Sequence, residues 1–286
     1  MKGTIKKFLL GTSVIVGASV IAINPAFAGS FSSSGPITVY ESFVDTDGQT
    51  KTRQVDANTA DLSTILTGDS NAPGGNVELY NETDGLTLNE FKNAGPATLT
   101  ADLDGRVVTF SSLTYDDWFG TGGTSSTAYG ADNFANKWFA EAVGKYAPNL
   151  NDAQKAGFYQ QFLQMNGFQR LSDPNVAYVN KNGNTISFGL AGHSDGSNVV
   201  PLLPQGTFAS EVIKVSYKGK TELRYSFDKP TDSGQYDVSD GTSHDANFEF
   251  SFEWGDDAEK VPEPSAILGL VALGGLAATK GKGKKA

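Results

Sequence analysis

The chain has 286 residues, no cysteine, two histidines and a formal net charge of −10 at pH 7. Without cysteine there can be no disulfide, thiol catalysis, iron–sulfur cluster or cysteine-ligated zinc, and two histidines cannot form a three-histidine metal centre. So acidic a chain is a poor partner for nucleic acid or anionic lipid, because like charges repel.

Residues 1–28 have the three parts of a secretory signal peptide. A basic start is followed by an apolar core from Phe8 to Ile23 and by Ala26-Phe27-Ala28, an A-x-A cleavage site. We therefore expect the Sec-type export machinery to take the chain and signal peptidase to cut it, with Ala26 and Ala28 forming the cleavage site. A permanent N-terminal anchor is the alternative.

The next hundred residues predict mainly strands and turns. The serine-rich segment from Ser30 to Gly35 predicts a mobile lead-in, and the alternation from Ile37 to Val44 predicts a strand. Residues 68–76 predict a loop. Leu99 to Phe110 predicts a hairpin that closes at Asp104-Gly105, a dipeptide typical of type I′ turns.

One aromatic and acidic stretch, Tyr115-Asp116-Asp117-Trp118-Phe119, resembles the surfaces that bind sugars. The simpler interpretation is the start of a helix whose tryptophan and phenylalanine face the core. We prefer the second interpretation, because large aromatic side chains are usually buried.

The middle of the chain predicts a helical hairpin. Residues 133–147 place apolar side chains, Trp138 among them, on one wide face, and Pro148 ends the pattern. Asn151 can cap a second helix, which ends near Gly167.

Strands return after the helices. Ala177 to Leu190 predicts a hairpin at Asn182-Gly183, and residues 211–227 predict another near Lys218-Gly219. Residues 247–254 alternate strictly between aromatic and polar side chains, which indicates one buried and one solvated face. The predicted fold is α+β: mostly antiparallel, sandwich-like β-structure with a central helical hairpin insertion, in a mature domain of residues 29–260.

The pentapeptide from Gly192 to Gly196 matches G-x-S-x-G, the nucleophile elbow of α/β-hydrolases. An elbow needs a parallel strand before the serine and a helix after it. Residues 197–204 are not expected to form that helix, and the neighbouring strands predict hairpins. A secreted serine hydrolase using Ser194 with His244 is therefore an alternative rather than the main hypothesis. The acids between them in triad order are Asp228, Asp232 and Asp237.

Acidic turns recur along the chain, as in Asp45-Thr46-Asp47-Gly48. Their spacing does not fit an EF-hand, because position 12 from Asp45 is an aspartate and the glycine is misplaced. We predict no catalytic residue, no metal ligand and no cofactor, and leave open a calcium site assembled from separate loops.

The C-terminal residues 261–286 contain three features in order. Pro262-Glu263-Pro264 is followed by an apolar run to Ala278 and then by a basic end. The basic residues, which we interpret as a membrane stop, are Lys280, Lys282, Lys284 and Lys285. The apolar run rises about 21 Å as a helix, less than the roughly 30 Å of a bilayer core. Lysines stay on the cytoplasmic side. We therefore expect a brief attachment to the cytoplasmic membrane, with the domain outside.

This order of features resembles the PEP-CTERM sorting signal of bacterial envelope proteins. The resemblance covers about a tenth of the chain. It implies recognition by an exosortase, a membrane transpeptidase-like protease, and removal of the tail at or near Pro262, Glu263 and Pro264. A plain C-terminal anchor or a buried hairpin is the alternative.

The mature domain is more acidic than the whole chain. Seven of the 22 basic residues and one of the 32 acids lie in the two signals, which leaves 15 against 31 and a net charge near −16. We predict an exported, non-enzymatic protein of the cell envelope or extracellular matrix. A carbohydrate- or calcium-dependent binding module or adhesin is the alternative, and extracellular polysaccharide is then the candidate partner.

Overall fold

The computed structural model describes residues 29–80, 83–199, 204–239, 241 and 243–255. The predicted signal peptide and the predicted sorting segment lie outside these residues. No helix within the described ranges is both long enough and apolar enough to cross a membrane.

The described residues form an α+β structure with two mostly antiparallel sheets. The smaller sheet has five strands, and all its neighbouring strands are antiparallel. In spatial order they are β1 (Gly29–Ser34), β5 (Thr98–Leu103), β6 (Val107–Ser111), β9 (Ile213–Tyr217) and β10 (Lys220–Arg224).

The larger sheet has eight strands, and a single parallel pair, β3 (Thr50–Val55) with β12 (Gln235–Asp237), lies at one edge. In spatial order the strands are β11 (Thr231–Asp232), β13 (Ala246–Glu253), β8 (Thr185–Gly192), β7 (Asn175–Asn182), β4 (Gly75–Leu79), β2 (Ile37–Val44), β3 (Thr50–Val55) and β12 (Gln235–Asp237).

The two sheets face each other across the main hydrophobic core. Phe110 of the smaller sheet meets Phe188 of the larger one with ring centroids 4.9 Å apart, and Tyr217 stacks on Phe252 at 4.2 Å. Apolar side chains alternate with polar ones along these strands, so each sheet turns one face to the partner sheet. The arrangement confirms the sandwich-like part of the predicted fold.

Short helices connect the strands, and two longer ones form the predicted hairpin. They are α1 (Leu62–Ile65), α2 (Leu88–Asn93), α3 (Tyr115–Phe119), α4 (Phe134–Tyr146), α5 (Asp152–Gln164) and α6 (Gly196–Val199), with 3₁₀ turns at Thr83–Gly85, Gly122–Thr124 and Gln169–Leu171. Helices α2 to α5 enclose a second, largely aromatic core. Phe168 is fully buried there, with its ring centroid 5.0 Å from that of Trp118 and 4.8 Å from that of Phe162.

An asparagine caps the start of each helix of the hairpin, and of the two caps the one at Asn151 was predicted. Asn133 accepts a hydrogen bond from the Asn136 N–H at 3.0 Å. Asn151 and Gln154 form a reciprocal capping box at the start of α5. Each cap satisfies backbone N–H groups that have no partner within the helix.

The turn dipeptides also placed two hairpins correctly. Asp104 and Gly105 have φ of 57° and 79°, and Lys218 and Gly219 have 48° and 74°. Positive φ at both central residues is the type I′ geometry, whose twist matches that of the strands. The β7–β8 turn lies one residue later than predicted, because Asn182 pairs with Thr185.

Two segments differ from the sequence predictions. The serine-rich lead-in is strand β1, in which Gly29 pairs with Leu103 and Ser34 with Thr98. This strand forms because its backbone hydrogen-bonds to the edge of β5. Backbone pairing does not require alternating apolar and polar side chains, so the sequence showed no strand pattern here. The predicted loop of residues 68–76 ends early, since Gly75 already begins β4.

Candidate functional site

The G-x-S-x-G pentapeptide does not form a nucleophile elbow. Strand β8 before it is antiparallel to both of its neighbours, whereas the elbow follows a parallel strand. We did not expect residues 197–204 to form a helix. That expectation was wrong for residues 197–199, which belong to the single-turn helix α6. The Ser194 hydroxyl donates to Asp245 Oδ2 at 2.7 Å, and its N–H donates to Asp245 Oδ1 at 2.6 Å. The serine is therefore held in a hydrogen-bonded turn.

Asp195 of the same pentapeptide is also a turn residue. Its carboxylate accepts from the backbone N–H groups of Gly206 and Ser197, each at 2.9 Å. These two hydrogen bonds lower the pKa of Asp195 below its ordinary value, and the bond from Gly206 has the larger effect.

His244 and Asp237, both candidates for a catalytic triad, do come together, but around Thr52. The Thr52 Oγ1 lies 2.8 Å from His244 Nδ1 and 3.3 Å from Asp237 Oδ2. All three residues are at most 5% exposed, so a substrate could not reach the hydroxyl. The other acids are used locally: Asp228 pairs with Lys145 at 3.0 Å, and Asp232 accepts from the Gly234 N–H at 2.8 Å. The cluster joins strand β12 and the following turn to β3.

The aromatic side chains of the stretch at α3 are buried in the core, which was the interpretation we preferred. Trp118 and Phe119 are fully buried, and the indole N–H of Trp118 donates to the Ser172 hydroxyl at 2.8 Å. Asp117 completes a capping box with Thr114 and pairs with Lys214 at 2.7 Å. These aromatic faces are not available to a sugar.

The acidic turns use their carboxylates to build the turns themselves. Asp45 accepts from the N–H groups of Asp47 and Gln49 at 2.9 and 3.0 Å and pairs with Lys51 at 2.5 Å. The hydrogen bond from Lys51, and to a smaller extent the one from the Gln49 N–H, lower the pKa of Asp45 below its ordinary value. Across the described ranges, no three acidic or histidine side chains meet closely enough to hold a metal ion.

A different set of polar residues lies on the outer face of the larger sheet, which points away from the sandwich core. Thr38 of β2 pairs in register with Glu78 of β4, and Glu78 pairs with Asn175 of β7. Directly paired residues point to the same face. Their neighbours along each strand are core valines, so these three side chains form a row on the opposite face.

Buried polar atoms in and beside this row have no hydrogen-bond partner. They are the Thr38 hydroxyl oxygen, both amide atoms of Asn76 and the Asn175 side-chain oxygen. The three residues are 3%, 1% and 9% exposed. Asn76 lies two positions before Glu78 on β4, hence on the same face, and pairs with Tyr40. A buried group left without a partner costs about 1–3 kcal/mol, so such groups usually indicate ordered water or a ligand.

The carboxyl group of Glu211 lies at the Asn175 end of the row. Glu211, just before β9, accepts from the Asn175 N–H through Oε2 at 3.0 Å. Burial, followed by repulsion from Asp173 and Glu78, raises the pKa of Glu211 well above its ordinary value. Within the described part of the chain, Glu211 has no basic partner.

We call this group the outer-face polar site. Its members are Thr38, Tyr40, Asn76, Glu78, Asp173, Asn175 and Glu211. Tyr40 belongs to it because its hydroxyl donates to Glu78 Oε2 at 3.3 Å. The site offers both hydrogen-bond donors and hydrogen-bond acceptors.

Sequence reasoning missed this site. Its residues come from four separate segments of the chain and share no motif. Strand alternation alone predicts solvent-facing polar side chains at positions such as Asn76. The residues predicted for processing, Ala26, Ala28, the Pro262–Pro264 motif and the lysine stop, all lie outside the described residues.

Comparisons with known proteins add no relative: no family model matches the chain, and no curated protein or solved structure matches it.

Proposed function

We propose that this chain is an exported, non-enzymatic protein of the cell envelope or extracellular matrix, sorted by an exosortase through its C-terminal tail. The observation that carries the proposal is the tail itself, in which Pro262-Glu263-Pro264, an apolar run and a lysine stop follow one another. A signal peptide at the other end supplies the export that such a tail requires.

The position of the folded domain supports this proposal. Among the described residues, the strands run from Gly29, directly after the A-x-A site, to Glu253, before Pro262. Removal of both signals would therefore leave every described strand in place.

The contacts of the candidate catalytic residues support the non-enzymatic part of the proposal. The Ser194 hydroxyl donates to Asp245, and His244 Nδ1 lies against Thr52. A serine hydrolase needs the serine and histidine to hydrogen-bond to each other, at about 3 Å.

The intact mass of the protein purified from its native host tests the proposal. We expect a mass that lacks residues 1–28 and the residues after the Pro-Glu-Pro motif. Replacing both prolines, Pro262→Ala with Pro264→Ala, should leave the tail attached and hold the protein in the membrane fraction. Val44→Thr, at an exposed strand end, is the control and should be processed normally. A mature mass that still includes Lys280 to Ala286 would falsify the proposal.

A second candidate, a carbohydrate-binding module or adhesin, is favoured by one observation. The outer-face polar site contains buried donors and acceptors without partners.

A further inference from the structure

We propose that strand β1 (Gly29–Ser34) exchanges between two copies of this chain, so that β1 of each copy pairs with β5 (Thr98–Leu103) of the other. The partner is a second copy of the chain. The surface that receives it is the edge of β5, which β1 covers in the single chain. This inference concerns the assembly of the folded domain and goes beyond export and sorting.

Backbone pairing, more than side-chain packing, holds β1 in place. All six of its residues pair in antiparallel register with β5. Its four serines are exposed, and Phe31 is the side chain of β1 that packs against the main core. The same backbone pairs form whether the strand comes from the same chain or from a second copy. A polar strand of this kind also specifies its pairing weakly, which favours exchange between copies.

The position and composition of β1 leave it unprotected against exchange. It lies at the edge of the smaller sheet, where β5 is its one neighbouring strand among the described residues. Edge strands are commonly protected by charged side chains or proline, and the sequence of β1 contains neither. Exchange of β1 therefore breaks the pairing with a single strand, and it carries no negative charge onto an acidic partner.

The link between β1 and β2 (Ile37–Val44) is a short hinge of two residues, Gly35 and Pro36, that crosses from one sheet to the other. Gly35 has a φ of 85°. Pro36 is held in place, because its carbonyl accepts from the Tyr80 N–H at 2.9 Å. Short, constrained hinges favour exchange, since the chain leaves the constrained turn when the hinge opens. Gly35 is therefore the pivot, and in an exchanged pair its φ can become negative.

The strand at the opposite edge of the smaller sheet lacks this freedom. β10 (Lys220–Arg224) pairs with the strand that precedes it in the chain, β9 (Ile213–Tyr217), through the tight turn at Lys218-Gly219. β1 has no such tie, because the strand that follows it lies in the other sheet. Exchange of β1 therefore opens one hinge and leaves both sheets of each copy with all their strands.

The edge of β5 requires a strand beside it. Leu99, Ala101 and Leu103 of β5 are at most 2% exposed, and Phe31 pairs with Ala101. If β1 left without a replacement, the backbone groups of β5 would lose their partners and this part of the core would open to water. The β1 strand of a second copy restores the same pairs, so an exchanged dimer keeps the contacts of the closed chain.

Cysteine pairs test the exchange directly, because the chain contains no cysteine. Ser32→Cys with Thr100→Cys places two thiols on paired residues of β1 and β5. The Cα atoms of such residues are about 4.5–5.5 Å apart, close enough for a disulfide. In an exchanged dimer this disulfide joins two chains. After oxidation of the protein purified from its host, a non-reducing denaturing gel should therefore show mainly a covalent dimer.

The matched control is a second cysteine pair in the same sheet. Thr109→Cys with Ser216→Cys places thiols on paired residues of β6 and β9, neither of which exchanges in the proposed dimer. All four substituted residues are exposed or half-buried. The control disulfide should stay within one chain, so the gel should show mainly a monomer.

Light scattering during size exclusion gives a second measurement, on protein without cysteine. We expect the wild type to have the mass of two chains. Insertion of three glycines between Gly35 and Pro36 should weaken the dimer at least tenfold, because a longer hinge closes without constraint.

Four outcomes would each overturn the inference. They are a wild type with the mass of one chain, a glycine-insertion variant that dimerises as tightly as the wild type, a Ser32–Thr100 disulfide confined to single chains, and a control pair that gives as much covalent dimer as the test pair. Intact mass tests sorting separately, so either proposal can fail alone.

Discussion

Glu211→Gln should stabilise the protein at neutral pH. Burial, and to a smaller extent the charges of Asp173 and Glu78, raise the pKa of the Glu211 carboxyl in the wild type. Glutamine removes the charge and keeps an oxygen that can accept from the Asn175 N–H. A raised pKa means that ionisation is harder in the folded state than in the unfolded one, by about 1.4 kcal/mol per unit. A partly buried charge without a cation partner costs about 1–3 kcal/mol. For a domain of this size, that corresponds to a rise in Tm of roughly 3–10 °C.

The benefit of Glu211→Gln should depend on pH in a defined direction. Below the ordinary glutamate pKa, the carboxyl is protonated in both the folded and unfolded states, and the two proteins should be equally stable. As pH rises from that value towards the raised folded pKa, the unfolded chain ionises first, so the wild type alone loses stability. Above the folded pKa, the difference between wild type and variant should be constant.

Urea unfolding of wild type and variant between pH 3.5 and 8 measures this difference directly. Asp116→Asn is the control, because Asp116 is an exposed carboxyl on α3 and its change should not produce the same pH-dependent difference. A variant that is less stable than wild type at pH 7, or a difference that does not change with pH, would refute the account of Glu211.

The fold makes three further predictions. Gly189→Ala should lower the free energy of unfolding, measured in urea, by about 1–3 kcal/mol, because the new Cβ would lie 2.2 Å from the ring of Tyr178. Gly157→Ala, in helix α5 with no atom within 4 Å of the new Cβ, should instead gain about 0.5–1 kcal/mol; a loss would mean that its surroundings are closer packed than described. A fluorophosphonate probe should not label Ser194, whose hydroxyl is bonded to Asp245, and labelling that disappears in Ser194→Ala would contradict that assignment.

Features that depend on a few adjacent residues were predictable from the sequence. The turns at Asp104-Gly105 and Lys218-Gly219 need only a dipeptide that tolerates positive φ. The start of α5 needs only Asn151 and the residue three positions on. Strand β13 repeats its alternation over eight residues, enough to define its buried face.

Features that depend on pairing between distant segments were not predictable. Strand β12 is three residues long and pairs in parallel with β3 from the other end of the chain. The outer-face polar site exists because Thr38, Glu78 and Asn175 fall in one register. No residue in that row differs in type from an ordinary polar residue on a solvated strand face, so its burial could not be deduced from the sequence.

The pairing of β12 with β3 affects the order in which the chain can fold. Thr52 meets Asp237 and His244, residues supplied nearly two hundred positions later. Strand β1 can pair only after β5 has been synthesised. Strand β8 can pair with its second neighbour only after β13 has been synthesised. Contacts between such distant positions form slowly, because a long loop must close first. If the chain is exported as proposed, N-terminus first, it would complete the sandwich only after almost all of the domain has crossed the membrane. Until then its open strand edges need protection from pairing with other chains.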